Sequence, residues 1–127
     1  MIELINEILT KYNINVTKLV INKKSNYLNI KAKGVYNNTP SFIDFNIKIT
    51  NLIYIQLNDI IINNINTFVL KNLLSIYIRK NIKVLTYLKE NNIKIDYIRQ
   101  EIIFNKNIIK DNNINNLIDI LIKYKEQ

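Results

Sequence analysis

The segment from Ile43 to Ile62 reads IDFNIKITNLIYIQLNDIII and constrains the fold more than any other part of the chain. Its first half alternates apolar and polar side chains, the pattern of a half-buried β-strand. Fully extended, the segment would measure about 65 Å at ~3.3 Å per residue, whereas a compact domain of this length is roughly 36 Å across. The chain must therefore turn within the segment. We expect a bend near Asn51 and a reversal at Asn58-Asp59.

The apolar periodicity of the remaining chain predicts further elements in the order α-β-β-β(β)-α-β-β-α. Gly34, the single glycine, predicts a bulge or a close backbone approach within its strand. We expect helices over residues 2–12 and 67–90, and strands over 14–21, 26–36, 43–57, 60–65, 93–98 and 101–105. A last helix should follow KDNN, with an apolar stripe that runs from Ile114 to Ile122.

The most strongly patterned helix covers residues 67–90. Leu74, Ile78, Ile82 and Leu85 recur at spacings of three and four residues, which is the apolar stripe of an amphipathic helix. Asn66 or Thr67 is the expected N-cap. At ~1.5 Å per residue this helix would run about 35 Å. The sequence therefore predicts a single α+β domain over residues 1–127, in which a bent antiparallel sheet packs on one long helix and short helices stand at both termini.

The residue types that are missing restrict the chemistry. The 127 residues include no cysteine, no histidine and one glycine. These absences remove disulfides, the usual zinc ligands, the commonest general base and glycine-rich phosphate loops. Asp96 and Glu101 on neighbouring predicted strands could form an acid/base pair, but two solvated carboxylates are the simpler interpretation. We therefore expect a protein that is not an enzyme and has no metal or cofactor.

The N-terminal residues MIELINEILTKYN lack the basic and apolar regions of a secretory signal. The longest apolar runs, such as Ile60 to Ile62, are far shorter than the ~18 residues of a membrane span. The sequence therefore predicts a cytoplasmic location.

The net charge of +8 has two explanations. Basic proteins often bind nucleic acid or anionic membranes, and Lys31, Lys33 and Lys48 fall on the polar faces of adjacent predicted strands, where they are candidates for an anionic surface. On the other hand, isoleucine, asparagine and lysine all have A/T-rich codons, and 16 lysines stand against two arginines. Arginine is the better bidentate phosphate ligand, so the excess of lysine favours codon bias over a functional basic surface, and both explanations stay open.

The order of elements from the long ribbon onward resembles small bacterial proteins of the tubular lipid-binding (TULIP-like) superfamily, over about residues 26–110. The resemblance lies in the ribbon, the helix after it and the strand pair NIKID and IIFN, at residues 92–96 and 102–105. It implies a long bent sheet that wraps a helix. It also implies a groove that holds an apolar chain or pairs with a second copy.

Two functions remain open from the sequence. The first is a non-enzymatic binding module whose apolar sheet-helix groove takes a lipid-like ligand, a second copy of the chain in a homodimer, or another protein. The alternative is a basic protein that binds nucleic acid or an anionic membrane. The candidate apolar contact residues are Ile47, Ile49, Leu52, Tyr54, Ile60, Ile62, Leu74 and Ile78.

Overall fold

The computed structural model describes residues 1–63, 65 and 67–126, and these form four α-helices and six β-strands. This is the predicted α+β class. The elements are α1 (Ile2–Leu9), β1 (Ile14–Lys23), β2 (Leu28–Tyr36), β3 (Thr39–Ile49), β4 (Leu52–Ile62), α2 (Thr67–Lys80), α3 (Ile82–Glu90), β5 (Lys94–Asp96), β6 (Glu101–Asn105) and α4 (Asn112–Glu126). Short 3₁₀ turns follow α1 and β6.

The six strands form one antiparallel sheet in the order β1-β2-β3-β4-β6-β5. The first four strands are neighbours both in sequence and in space. A tight turn at Asn37-Asn38, with φ angles of 49° and 63°, joins β2 to β3. Asparagine tolerates this left-handed conformation better than most residues. β6 pairs with residues 52–56 of β4, and β5 forms the edge beside it.

The long ribbon is a β-hairpin, and its reversal lies at Thr50-Asn51. Thr50 closes the turn, because its N–H donates to the Leu52 carbonyl at 2.9 Å and its hydroxyl oxygen accepts from the Leu52 N–H at 3.2 Å. The predicted reversal at Asn58-Asp59 is wrong. Asp44 pairs with Asp59 and Phe45 with Leu57, so Asn58 is the extra residue of a β-bulge inside β4.

One face of the sheet, here called the inner face, carries the core. Leu28, Ile30, Ile47 and Ile53 on this face are buried against Ile118 and Leu121 of α4. Burial of each such side chain contributes about 1.5–3 kcal/mol. Helix α1 lies against β1 and α4, with Ile5 buried. The core of the described residues is therefore covered by the terminal helices.

The predicted single helix over residues 67–90 is two helices, α2 and α3, which meet at Asn81. Asn81 has extended backbone angles (φ −98°, ψ 103°), and its side-chain oxygen accepts from the Val84 N–H at 3.2 Å. This is an N-cap, which begins a new helix and ends the old one. Helix α2 lies against β4 and α3. The N-cap expected at Asn66 lies outside the described residues.

Candidate functional site

A cavity of about 500 Å³ lies between the inner face of the sheet and helices α1 and α4. Its polar or glycine lining comes from Lys33, Gly34, Tyr36 and Ser41, which lie toward the end where β2 leads into β3. The other lining residues are all apolar: Ile5, Leu9, Ile14, Val16, Leu19, Ile21, Ile30, Ala32, Val35, Phe42, Ile43, Phe45, Ile60, Ile62, Leu117 and Leu121.

The cavity exists because α4 covers the inner face unevenly. At the end of the sheet near Leu28 and Ile47, the side chains are buried against α4. Toward the other end, Ile43 and Ile60 are cross-strand partners on the same face, yet both remain half-buried. The apolar surface there exceeds what the two terminal helices fill. Such a pocket can hold an apolar ligand, because polar side chains line it only toward the end where β2 leads into β3.

Two β-bulges direct side chains into this cavity. The first, at Asn58, shifts the alternation of β4 by one residue, so that Ile60 and Ile62 face the same side as Leu57. Without it, Asp59 and Ile61 would point inward, since a shift of one residue exchanges the faces of a strand. The extra residue is held by its side-chain amide, which donates to Asn46 Oδ1 at 3.0 Å.

The second bulge, at Thr17 in β1, lies opposite Gly34. A Cβ atom on residue 34 would lie 2.2 Å from the Asn15 carbonyl oxygen, which is a backbone atom. Residue 34 must therefore be glycine for the two strands to approach this closely. The predicted meaning of the single glycine, a bulge or close backbone approach, is confirmed. Val16, beside the bulge, lines the cavity.

The eight predicted apolar contact residues are dispersed over the molecule. Ile60 and Ile62 line the cavity, Ile47 is buried in the core and Ile49 packs against that core. Leu52 is exposed at the start of β4, and Tyr54 lies on the opposite, outer face. Leu74 and Ile78 belong to α2, where Leu74 is exposed and Ile78 half-buried. The structure thus brings two of the eight to the cavity.

The three predicted basic residues also separate. Lys31 and Lys33 lie two residues apart on β2, and Lys18 of β1 pairs directly with Lys33. Lys48 lies beyond the paired end of β2, since Leu28 is the partner of Ile47. The Lys48 Nζ lies 5.2 Å from the centre of the Tyr54 ring, a cation-π contact. Lys18, Lys31 and Lys33 therefore form one basic group on β1 and β2. Lys48 lies apart from it.

Amide side chains, rather than lysines, dominate the centre of the outer face. The Asn29 amide donates to Asp44 at 2.8 Å and to Asn46 at 2.9 Å, and Asn46 donates to Gln56 at 3.4 Å. Gln56 in turn donates to the Arg99 carbonyl at 3.1 Å. This ladder crosses β2, β3 and β4, where it stabilises strand pairing. The alternation of apolar and polar residues did not predict this ladder, although its asparagines fall at alternate positions of adjacent strands.

A polar cluster joins the N-terminal region to the start of α4. The Tyr12 hydroxyl donates a short hydrogen bond to Asp111 Oδ2, and Lys11 Nζ lies 3.4 Å from the same oxygen. The Asp111 Oδ1 also accepts from the Asn113 N–H at 2.8 Å. These contacts, the Tyr12 bond first, hold the pKa of the Asp111 carboxyl below its ordinary value. Asp111 thus fastens the helix that covers the cavity.

The structure pairs Asp96 directly with Glu101 on β5 and β6. Asp96 Oδ1 accepts from the N–H groups of Ile98 and Arg99, each at 3.0 Å, so this carboxylate holds the turn between the strands.

Within the described residues, no three histidine, cysteine, aspartate or glutamate side chains are grouped as a metal site. No helix in the described ranges is both long and apolar enough to cross a membrane.

Comparison with known proteins leaves the site to be interpreted from its geometry. No family model, curated protein or solved structure matches this chain.

Proposed function

We propose that this chain is a non-enzymatic binding module that takes one aliphatic chain, such as the tail of a fatty acid or lipid, into the cavity under α1 and α4. The observation that carries the proposal is the cavity of about 500 Å³ with a lining of apolar side chains. Its volume falls within the ~300–1,000 Å³ of typical ligand pockets. The proposal keeps the lipid-class ligand that the TULIP-like resemblance implies.

The distribution of lining residues suggests how the ligand would be oriented. Ile30, Phe45 and Leu121 stand toward the packed core, whereas Tyr36 and Ser41 stand at the end of the sheet where β2 leads into β3. Tyr36 is 45% exposed. The tail of an amphiphile would therefore lie toward Leu121. Its polar head would lie near Tyr36 and Ser41, where hydroxyl groups and water can hydrate it.

The expected affinity is modest. An apolar lining contributes mainly through the transfer of methylene groups out of water, worth about 0.8 kcal/mol for each buried CH₂. A myristoyl chain that inserts into a bilayer by the same effect gains an association constant of about 10⁴ M⁻¹. A fatty acid of that length should therefore bind the cavity with a dissociation constant on the order of 100 µM or tighter.

The test is to fill the cavity. Ala32 is the smallest apolar side chain in the lining, and its cross-strand partners are Leu19 and Ile43. Ala32→Phe would place a phenyl ring in the volume that the ligand needs. Val20→Phe is the matched control, because Val20 is 39% exposed and its partner Lys31 lies on the outer face.

Titration of a fluorescent fatty acid into each protein measures the effect. Ala32→Phe should weaken binding at least tenfold, Val20→Phe should bind as the unchanged protein does, and thermal unfolding should verify that both variants are folded. Equal binding by a folded Ala32→Phe variant would overturn the proposal that the ligand occupies this cavity.

A further inference from the structure

Helices α2 and α3 expose apolar side chains where they meet. Ile76 and Tyr77 near the end of α2 are 52% and 59% exposed, and Ile82 at the start of α3 is 78% exposed. These three line one shallow hollow with Lys80 and Lys83. Single exposed apolar residues are ordinary, but a contiguous group rimmed by polar residues is typical of an interaction surface. We call this group of five residues the α2–α3 surface.

The charge on α2 and α3 is mostly positive. The sequence has no acidic residue between Asp59 and Glu90, whereas it has five basic ones: Lys71, Arg79, Lys80, Lys83 and Lys89. The last four of these are exposed. A surface that combines exposed Ile and Tyr with exposed Lys and Arg attracts a partner that is both anionic and apolar.

We propose that the α2–α3 surface docks on an anionic lipid bilayer. Basic amphipathic helices bind membranes by burying their apolar side chains at the headgroup boundary while lysines attract anionic headgroups. A second copy of the chain would bring like charges together. Nucleic acid would use the charges but would leave Ile76 and Ile82 in water. The bilayer is the partner that satisfies both kinds of side chain.

The turn between β5 and β6 adds to the same region. The Tyr97 ring lies 4.3 Å from the Arg79 guanidinium carbon, so this turn is held beside the end of α2. The next residue, Ile98, is 95% exposed. Its exposed side chain would add one more apolar contact with the bilayer near the end of α2. Docking of the α2–α3 surface on a bilayer does not depend on what the cavity holds.

Sedimentation with vesicles tests the proposal. The protein should bind vesicles of phosphatidylcholine mixed with phosphatidylglycerol, and much more weakly those of phosphatidylcholine alone. Lys80→Ala with Lys83→Ala should lower the partition coefficient about thirtyfold, since each lysine near an anionic surface contributes about fivefold. Lys18→Ala with Lys31→Ala removes the same charge from exposed positions of the sheet that do not line the cavity, and should have little effect.

The apolar contribution needs its own variant. Ile76→Ser with Ile82→Ser changes two exposed side chains, so the melting temperature should stay close to that of the unchanged protein. Membrane binding should fall at least tenfold. Equal loss from the two lysine pairs would overturn the proposal, as would full binding by the serine variant. A dimer that the serine variant dissociates would instead assign the surface to a second copy.

Discussion

Replacement of Gly34 by alanine tests the contact that shapes β1 and β2 beside the cavity. The new Cβ would lie 2.2 Å from the Asn15 carbonyl oxygen and 3.0 Å from the Val16 Cα. Both are backbone atoms, so no change of rotamer relieves the clash. Ordinary van der Waals contact begins near 3.4 Å. The two strands would therefore have to separate by about 1 Å at the bulge, which exceeds the usual variation in strand spacing.

The cost can be worked from this displacement. Separation weakens one or two hydrogen bonds between β1 and β2, each with a net contribution of about 1 kcal/mol, and overpacking costs about 1–3 kcal/mol. Alanine lowers the conformational entropy of the unfolded chain relative to glycine, which stabilises the folded state by about 0.4–1 kcal/mol. The net loss should be about 1–4.5 kcal/mol, with a central value near 3 kcal/mol. At roughly 4 °C per kcal/mol for a chain of this size, the melting temperature should fall by about 10 °C.

Urea unfolding and thermal unfolding, both followed by circular dichroism, measure this loss. Lys31→Ala is the control, because Lys31 is exposed on the same strand and its replacement should change the free energy of unfolding by less than about 0.5 kcal/mol. If Gly34→Ala proves as stable as Lys31→Ala, the two strands do not approach as described and the explanation of the single glycine is refuted.

Three further predictions concern the core, the helix junction and pH. Ile53→Ala empties a side chain that is 0% exposed and should cost about 2–5 kcal/mol in urea unfolding; a cost below 1 kcal/mol would contradict the described core. Asn81→Ala removes the N-cap to Val84 and should cost about 1 kcal/mol, with a loss of helical circular dichroism at α3; an unchanged spectrum and stability would contradict the cap. The lowered pKa of Asp111 stabilises the fold above the ordinary carboxyl pKa of 3.8, and this contribution is lost as the pH falls through the lowered pKa. The stability difference between the protein and its Asp111→Asn variant should therefore disappear in acid, and a difference that persists there would refute the assigned role.

Periodicity predicted which parts of the chain form helices and strands, but it misplaced the reversal of the ribbon. Asn58-Asp59 and Thr50-Asn51 are both polar pairs between apolar runs, and a turn or a bulge can occupy either. The phase of the alternation distinguishes the two. Inward residues fall at odd numbers up to Leu57 and at even numbers from Ile60, which is the mark of one extra residue within a strand.

The helix that covers the core could not be predicted, because an apolar stripe shows that a helix has a buried side without showing which surface buries it. The longer apolar stripe lies in α2 and α3, and it leaves Leu74 and Ile82 exposed. The stripe in α4 buries Ile118 and Leu121 on the sheet. Because α4, and not the predicted helix over residues 67–90, covers the sheet, the candidate site differs from the predicted one. Ile60 and Ile62 remain at an apolar cavity, but the cavity lies under α1 and α4.

The most direct test of the central claim is native mass spectrometry of the protein after equilibration with a long-chain fatty acid, followed by organic extraction. The account predicts a complex of the 15.1 kDa chain with one fatty acid molecule, which Ala32→Phe abolishes and Val20→Phe retains. A bare 15.1 kDa chain at fatty acid concentrations above 100 µM, with no lipid in the extract, would contradict it.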